Sequence, residues 1–221
     1  MNKFIFLRVP KTASQTFTNK ILRKYFNPER FLADGTENIN ITLNVFNNRP
    51  MTYNYKFDDY TKFDCISGHF LIDKYLFLNY NNIAFLRDPI ERIISQYFFQ
   101  KRKCEEEKPT GAWKIVDEFF KSGGDIIDFA KIYNNHQVYY LGKDLSKLDF
   151  LGIQEEFDLS YRIFCKKFNL TYFKYQSGNI NKKKEKISKD IRKEILKYNI
   201  EDYELYKKAL EIFEEQKRRF L

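Results

Sequence analysis

Cysteine is scarce. Cys65, Cys104 and Cys165 are far apart, odd in number and free of any C-x-x-C pair or neighbouring histidine cluster. Neither a disulfide framework nor a zinc site is indicated, and the chain reads as built for a reducing compartment. No stretch approaches the ~20 apolar residues of a membrane span. The N-terminus runs from Lys3 straight into an apolar segment without a signal-peptide pattern. Cytoplasmic residence, with no integral membrane segment, is therefore expected. Histidine is limited to His69 and His136. Internal repeats and low-complexity linkers are missing, and only Lys182-Lys183-Lys184-Glu185-Lys186 departs sharply from the background.

What the chain does have is apolar and basic. Its 221 residues are 43% hydrophobic and 18% aromatic, enough for one substantial core, so a single domain over 1–221 is expected. Thirty-nine Lys and Arg against thirty Asp and Glu leave a formal charge of +9. That balance favours anionic partners such as nucleotides, sulfated or carboxylated glycans, nucleic acid or anionic lipid. It does not choose among them, and surplus lysine that merely solubilises an aromatic-rich protein explains the charge as well.

Turn-bounded, β-rich runs occur at Phe4 to Val9, Phe63 to Ser67, Ile83 to Leu86, Phe150 to Ile153 and Leu170 to Tyr175. Most are continuously apolar rather than alternating, the signature of strands covered on both faces. Helical periodicity marks Thr12 to Tyr25, Ile90 to Lys103, Trp113 to Lys121, Ile126 to Tyr133, Phe157 to Phe168, Lys189 to Lys197 and Glu201 to Phe220. Pro89 suits a first helical turn. Alternation of strand and helix predicts an α/β fold with a three-layer parallel sheet and P-loop-like nucleotide-binding topology. Residues about 27–62, rich in Asn, Asp, Thr and Tyr, show no sustained period and read as an irregular insertion.

Two segments sit where an apolar strand gives way to a helix, the place where open α/β sheets bind anions. In Arg8-Val9-Pro10-Lys11-Thr12-Ala13-Ser14-Gln15-Thr16 a lysine and hydroxyls lie beside freshly exposed helix N–H groups. The turn holds no glycine, so the Walker pattern is absent, and no partner strand bears an evident magnesium-binding Asp. In Leu86-Arg87-Asp88-Pro89-Ile90-Glu91-Arg92-Ile93-Ile94-Ser95, Ser95 shares a helix face with the entry turn. Arg87 and Ser95 together make a phosphate clamp, while Asp88, Glu91 and Arg92 read better as a local ion-pair cluster at the helix entry. Two anion sites on one sheet predict a ligand with two separated phosphate-like groups.

These residues carry a resemblance. Arg8 to Ser14, Ser67-Gly68-His69 and Leu86 to Ser95 resemble the glycan O-sulfotransferases, above all the heparan sulfate and uronyl 2-O-sulfotransferases; Phe150 to Phe157 and the closing Tyr203 to Gln216 segment extend the likeness. Gln15 and Thr16 depart from that family's pattern at the end of the first loop. The resemblance implies 3'-phosphoadenosine 5'-phosphosulfate as co-substrate, without metal. Its 5'-phosphosulfate would meet Pro10, Lys11, Thr12, Ala13, Ser14, Gln15 and Thr16, and its 3'-phosphate Arg87 and Ser95. The acceptor would be a hydroxyl of a carbohydrate, an acidic glycan among the candidates, and not nucleic acid. His69, at a predicted strand end, would be the general base, and Lys11 would neutralise the departing phosphate. Arg8 would touch a sulfuryl oxygen or an acidic sugar, or else close a strand-end salt bridge. Asn135 and His136 resemble a substrate-side segment, although Asn134-Asn135-His136-Gln137 also reads as an N-cap followed by a helix. Lys183, with Lys182 and Lys184, lies where such enzymes place a loop over the nucleotide; a solvated charge run is the competing account. A P-loop phosphoryl-transfer enzyme and a non-catalytic polyanion-binding module are the other readings.

Overall fold

A computed structural model describes residues 2–34, 59–106, 110–111, 113–175 and 186–221. Strands β1 (Phe4–Leu7), β2 (Phe31–Asp34), β3 (Cys65–Gly68), β4 (Asn81–Leu86) and β5 (Phe150–Ile153) form one sheet in the order β2-β3-β1-β4-β5. Every pairing is parallel. The central strand β1 aligns Phe4 with Cys65 on one side and with Asn81 on the other. Its four residues are all buried, as a strand with helices on both faces must be. The α/β parallel architecture expected from the sequence is the one observed.

Helices fill the crossovers. α1 (Ser14–Thr16) passes without a break into a π turn (Phe17–Ile21) and a 3-10 turn (Leu22–Lys24), so the helix expected over 12–25 is built from three geometries. α2 (Pro89–Glu106), α3 (Trp113–Lys121), α4 (Ile126–Ile132) and α5 (His136–Leu141) separate β4 from β5. α6 (Phe157–Phe168), α7 (Lys189–Lys197) and α8 (Ile200–Phe220) follow. In the sheet core Phe17 and Phe150 meet Phe164 edge-on and Phe6 meets Phe85 edge-on, the ring arrangement that the aromatic quadrupole favours, while Phe4 packs tilted on Phe164 and Phe17 on Phe85. A second cluster, with Ile93, Tyr97, Phe129, Tyr133 and Ile195 buried, joins α2 to α4 and α7.

Two elements differ from the sequence reading. β2 lies inside the segment about 27–62; it is a four-residue edge strand, partly exposed, and too short to show a period. Of that segment, residues 35–58 lie outside the described ones. Conversely, Leu170 to Tyr175 is not a strand. Its groups are spent on α6: the Leu170 N–H on Cys165 O (2.8 Å), the Tyr172 hydroxyl on Asp158 (2.7 Å) and the Phe173 N–H on the Tyr161 hydroxyl (3.0 Å). The outer edge of β5 is occupied instead by Gln216 of α8, whose Nε2 donates to Leu151 O at 2.9 Å. A covered edge offers no ladder for a sixth strand.

Candidate active site

The carboxyl ends of β1, β3 and β4 meet at one rim. After β1, the Arg8 N–H donates to Gly68 O at 2.8 Å, adding one bond beyond the ladder. The turn then reverses through Lys11 and Ala13, both left-handed at φ 68° and 60°. For non-glycine residues this costs roughly 1–2 kcal/mol each, strain of the kind that collects at functional sites. Thr12 is fully buried and its hydroxyl donates to Val9 O at 2.9 Å, so it ties the turn together. Ser14 is buried, Pro10, Lys11, Ala13 and Thr16 are half-buried, and Gln15 is exposed.

Lys11 and Arg87, 76 residues apart in sequence, lie side by side, with Arg87 Nη1 donating to the Lys11 carbonyl at 3.2 Å. The Lys11 ammonium rests 4.0 Å from the centre of the Phe99 ring, and no carboxylate among the described residues forms an ion pair with it. Burial, then repulsion from Arg87 and Arg102, pushes its pKa down to about 8. Arg87 Nε is buried without a hydrogen-bond partner. The nearest carboxylates, Glu91 and Glu155, stand off at 4.0 and 3.9 Å. Each has a closer partner: Glu91 pairs with Arg192 at 2.8 Å, and Glu155 accepts from the Tyr206 hydroxyl at 3.0 Å. Crowded, under-compensated cations with an orphaned guanidinium N–H fit an anionic group. Ser95 is half-buried in the second turn of α2.

His69 leaves β3 directly after Gly68. Glycine is required there, because a Cβ at Gly68 would sit 2.2 Å from the carbonyl oxygen of Asp34 on β2. The residue is half-buried, and its Nδ1 is itself buried without a partner. Burial, then the Arg8 charge, lowers its pKa to about 4 against an opposing hydrogen bond to the Arg8 main chain. The ring is therefore neutral at physiological pH, with Nδ1 as the free lone pair once Nε2–H is assigned to that bond. The Tyr140 ring packs against both histidines, 6.5 Å from His69 and 5.1 Å from His136. Arg8 Nε is likewise buried without a partner.

His136 and Asn135 are placed in the support beneath this rim. His136 is 3% exposed, and its Nδ1 lies 3.4 Å from Arg92 Nη1. Asn135 donates its N–H to Asn199 Oδ1 (3.2 Å) and accepts the Asp202 N–H (3.1 Å), joining the starts of α5 and α8. Arg92 does not join the expected ion-pair cluster at the helix entry: it is fully buried and faces Asp202 at 3.8 Å. Asp88 instead accepts the Glu91 N–H at 2.9 Å, a local helix cap. Gln137 and Asp202, which sequence reasoning passed over, make the densest polar contacts here. Asp202 accepts the N–H groups of Gln137 (3.0 Å) and Val138 (2.8 Å). Lys183 lies outside the described residues.

A parallel α/β sheet with cationic side chains at its strand-end rim is the arrangement in which open α/β proteins collect anionic ligands. A family model described as the Sulfotransferase family matches residues 1–165, and the chain belongs to that family. The match takes in β1 through most of α6, and so contains Lys11, His69 and Arg87. No curated protein and no solved structure matches the chain.

Proposed function

We propose that this sulfotransferase uses 3'-phosphoadenosine 5'-phosphosulfate and acts on a carbohydrate hydroxyl. The observation that carries the reading is the convergence of Lys11 and Arg87 at adjoining strand ends, joined by a hydrogen bond, with no carboxylate among the described residues paired to Lys11 and with Arg87 Nε left without a hydrogen bond. Two cationic groups on two separate strand-to-helix turns suit a nucleotide with two phosphate-bearing positions. The Pro10 to Thr16 turn and Lys11 would hold the 5'-phosphosulfate, and Arg87 with Ser95 the 3'-phosphate. Bound there, the donor supplies an activated sulfuryl group.

The protein's own groups do the rest. His69 Nδ1, neutral because of burial and the Arg8 charge, accepts the acceptor hydroxyl proton. Lys11 offsets charge on the departing phosphate, an interaction that strengthens as that charge develops. Arg8 presents its guanidinium on the acceptor side of the same rim. Asn135 would serve by joining the starts of α5 and α8, and His136 by packing against Arg92 of α2 and the Tyr140 ring beside His69. Among the described residues no group of His, Cys, Asp or Glu is arranged to hold a metal. The motif resemblance to the 2-O-sulfotransferases supports a carbohydrate hydroxyl as the acceptor.

Incubation with the sulfonated donor and a panel of uronic acid and hexosamine oligosaccharides, read by mass spectrometry, tests this. Sulfated product is expected, with no phosphorylated product from ATP and magnesium. Donor binding without transfer to any hydroxyl would overturn the acceptor class, and transfer from ATP would overturn the donor.

A further inference from the structure

Arg87 stands one residue beyond the last rung of the β4–β5 ladder, which pairs Leu86 with Ile153. The next residue, Asp88, precedes Pro89 and is pushed to extended geometry as the helix begins. The Arg87 N–H and C=O therefore leave the sheet with no strand to receive them. The side chain of Gln137, fully buried on α5, takes both: Oε1 accepts the Arg87 N–H at 3.0 Å, and Nε2 donates to the Arg87 carbonyl at 2.9 Å. Only this orientation of the amide satisfies donor and acceptor together. Two bonds, one to each peptide flanking the same Cα, fix the direction in which the Arg87 side chain departs. Gln137 is in turn held by Asp202, whose carboxylate receives the N–H groups of Gln137 and Val138 at the start of α5. Asp202 faces the buried Arg92, five residues after Arg87 on the helix that Asp88 opens. The chain of contacts from Arg87 through Gln137 and Asp202 thus returns to Arg92 on the segment that carries Arg87.

We infer that Gln137 is a positioning residue of the nucleotide site, whose amide aims Arg87 at the 3'-phosphate and so sets the preference for a nucleotide that carries one. The inference rests on the assignment of Arg87 to that phosphate. A glutamine that only stabilised the fold would act equally on every ligand. One that acts through Arg87 touches only the 3'-phosphate-dependent part of binding.

The affinities of adenosine 3',5'-bisphosphate and adenosine 5'-monophosphate, measured by calorimetry for Arg87→Ala, Gln137→Ala and the double variant, separate these. Arg87→Ala should reduce the preference for the bisphosphate by roughly 10–100-fold, the worth of hydrogen bonds to a charged group. Gln137→Ala should remove about 3–10-fold of it, and should remove nothing further in the Arg87→Ala background. Equal weakening of both nucleotides by Gln137→Ala, or a loss of preference that persists without Arg87, overturns the inference. An unchanged preference in Arg87→Ala overturns the 3'-phosphate assignment itself and the inference with it.

Gln137→Glu gives a second reading that does not depend on the alanine variant folding. A neutral carboxyl offers C=O to the Arg87 N–H and O–H to the Arg87 carbonyl, as the amide does; an ionised one sets oxygen against oxygen. The charged and titratable groups that face Arg87, residue 137 and Asp202 are Lys11, Asp88, Glu91, Arg92, His136, Glu155, Glu201 and Tyr206, the same in wild type and variant. Its bisphosphate preference, taken relative to wild type at each pH, should be low near about pH 8 and recover toward about pH 5, where a buried carboxyl is protonated. A preference equal to that of wild type throughout, or low throughout, overturns the inference.

Discussion

At the scale of single residues, two titrating groups are set against their ordinary values by burial first and by neighbouring positive charge second. His69 is neutral because burial, and then Arg8, disfavours its protonated form. Replacing His69 by Ala should leave adenosine bisphosphate binding intact and lower turnover by roughly 10²–10⁴-fold, the contribution of a positioned base. In the wild type kcat/KM should fall on acidification only as pH approaches about 4. The kcat limb should lie higher, because bound donor brings negative charge that offsets Arg8. Both limbs should vanish in the variant, and a folded His69→Ala with wild-type turnover would place the base elsewhere. Lys11 is shifted for the same reason, its pKa pushed down to about 8 by burial and then by Arg87 and Arg102. An anion between these cations raises it again. Binding of the bisphosphate above pH 8 should therefore take up a proton, and affinity should decline as pH rises through that value. Calorimetry in buffers of different ionisation enthalpy reads the uptake, which Lys11→Met should abolish.

At the scale of elements, the turn between β1 and α1 does without the glycines that a tight anion-binding turn ordinarily uses. Lys11 and Ala13 adopt left-handed backbone in their place, and the Thr12 hydroxyl bond to Val9 holds the turn against that cost. Ala13→Gly should raise stability by about 0.5–1 kcal/mol, the left-handed penalty relieved less the added chain entropy, as read by urea unfolding. A destabilised variant would show that the Ala13 methyl contributes packing worth more than the strain. The start of α5 is organised differently. Asn135, its preceding residue, turns its side chain to the start of α8, while Asp202 of α8 serves α5. Each helix caps the other across about 65 residues of chain. This exchange keeps Gln137 in place while leaving no helix-end N–H at either residue exposed to solvent.

At the scale of the whole molecule, the rim lies on the seam between two buried clusters. β1 and its turn belong to the sheet core, whereas α2, which carries Ser95 and Phe99, packs into the smaller cluster with α4 and α7. A nucleotide that bonds both sides ties the clusters together. It should stabilise the native state by about 2.7 kcal/mol at a hundredfold excess over its Kd. The melting temperature should rise with adenosine 3',5'-bisphosphate, unaffected by a chelator, and rise less with the 5'-monophosphate at equal concentration. Equal rises with both would count against a second phosphate position at Arg87.

Much of this architecture is legible in the residues alone, because it is local. Phe4 to Leu7, Ile83 to Leu86 and Phe150 to Ile153 are apolar without alternation, as strands covered on both faces must be, and the positions where they meet Pro10 and Pro89 mark the rim. Lys11 and Arg87 could be singled out for the same reason: each stands at the end of such a run. β2 could not, since four residues, buried at Phe31 and Asp34 and open between them, are too few to show a period, and Leu170 to Tyr175 misled because its β-prone residues are anchored to α6 by side-chain bonds. Nor does any pattern in the chain announce that Arg92 faces Asp202 or that Gln137 grips Arg87. Periodicity and turn chemistry are set by neighbours a few residues apart, and the sequence by itself determines them. The partner of a buried polar group is chosen from whatever the packed chain brings within about 3 Å, and here it lies 50 or more residues away at Gln137 and Asp202, so only the tertiary structure decides it.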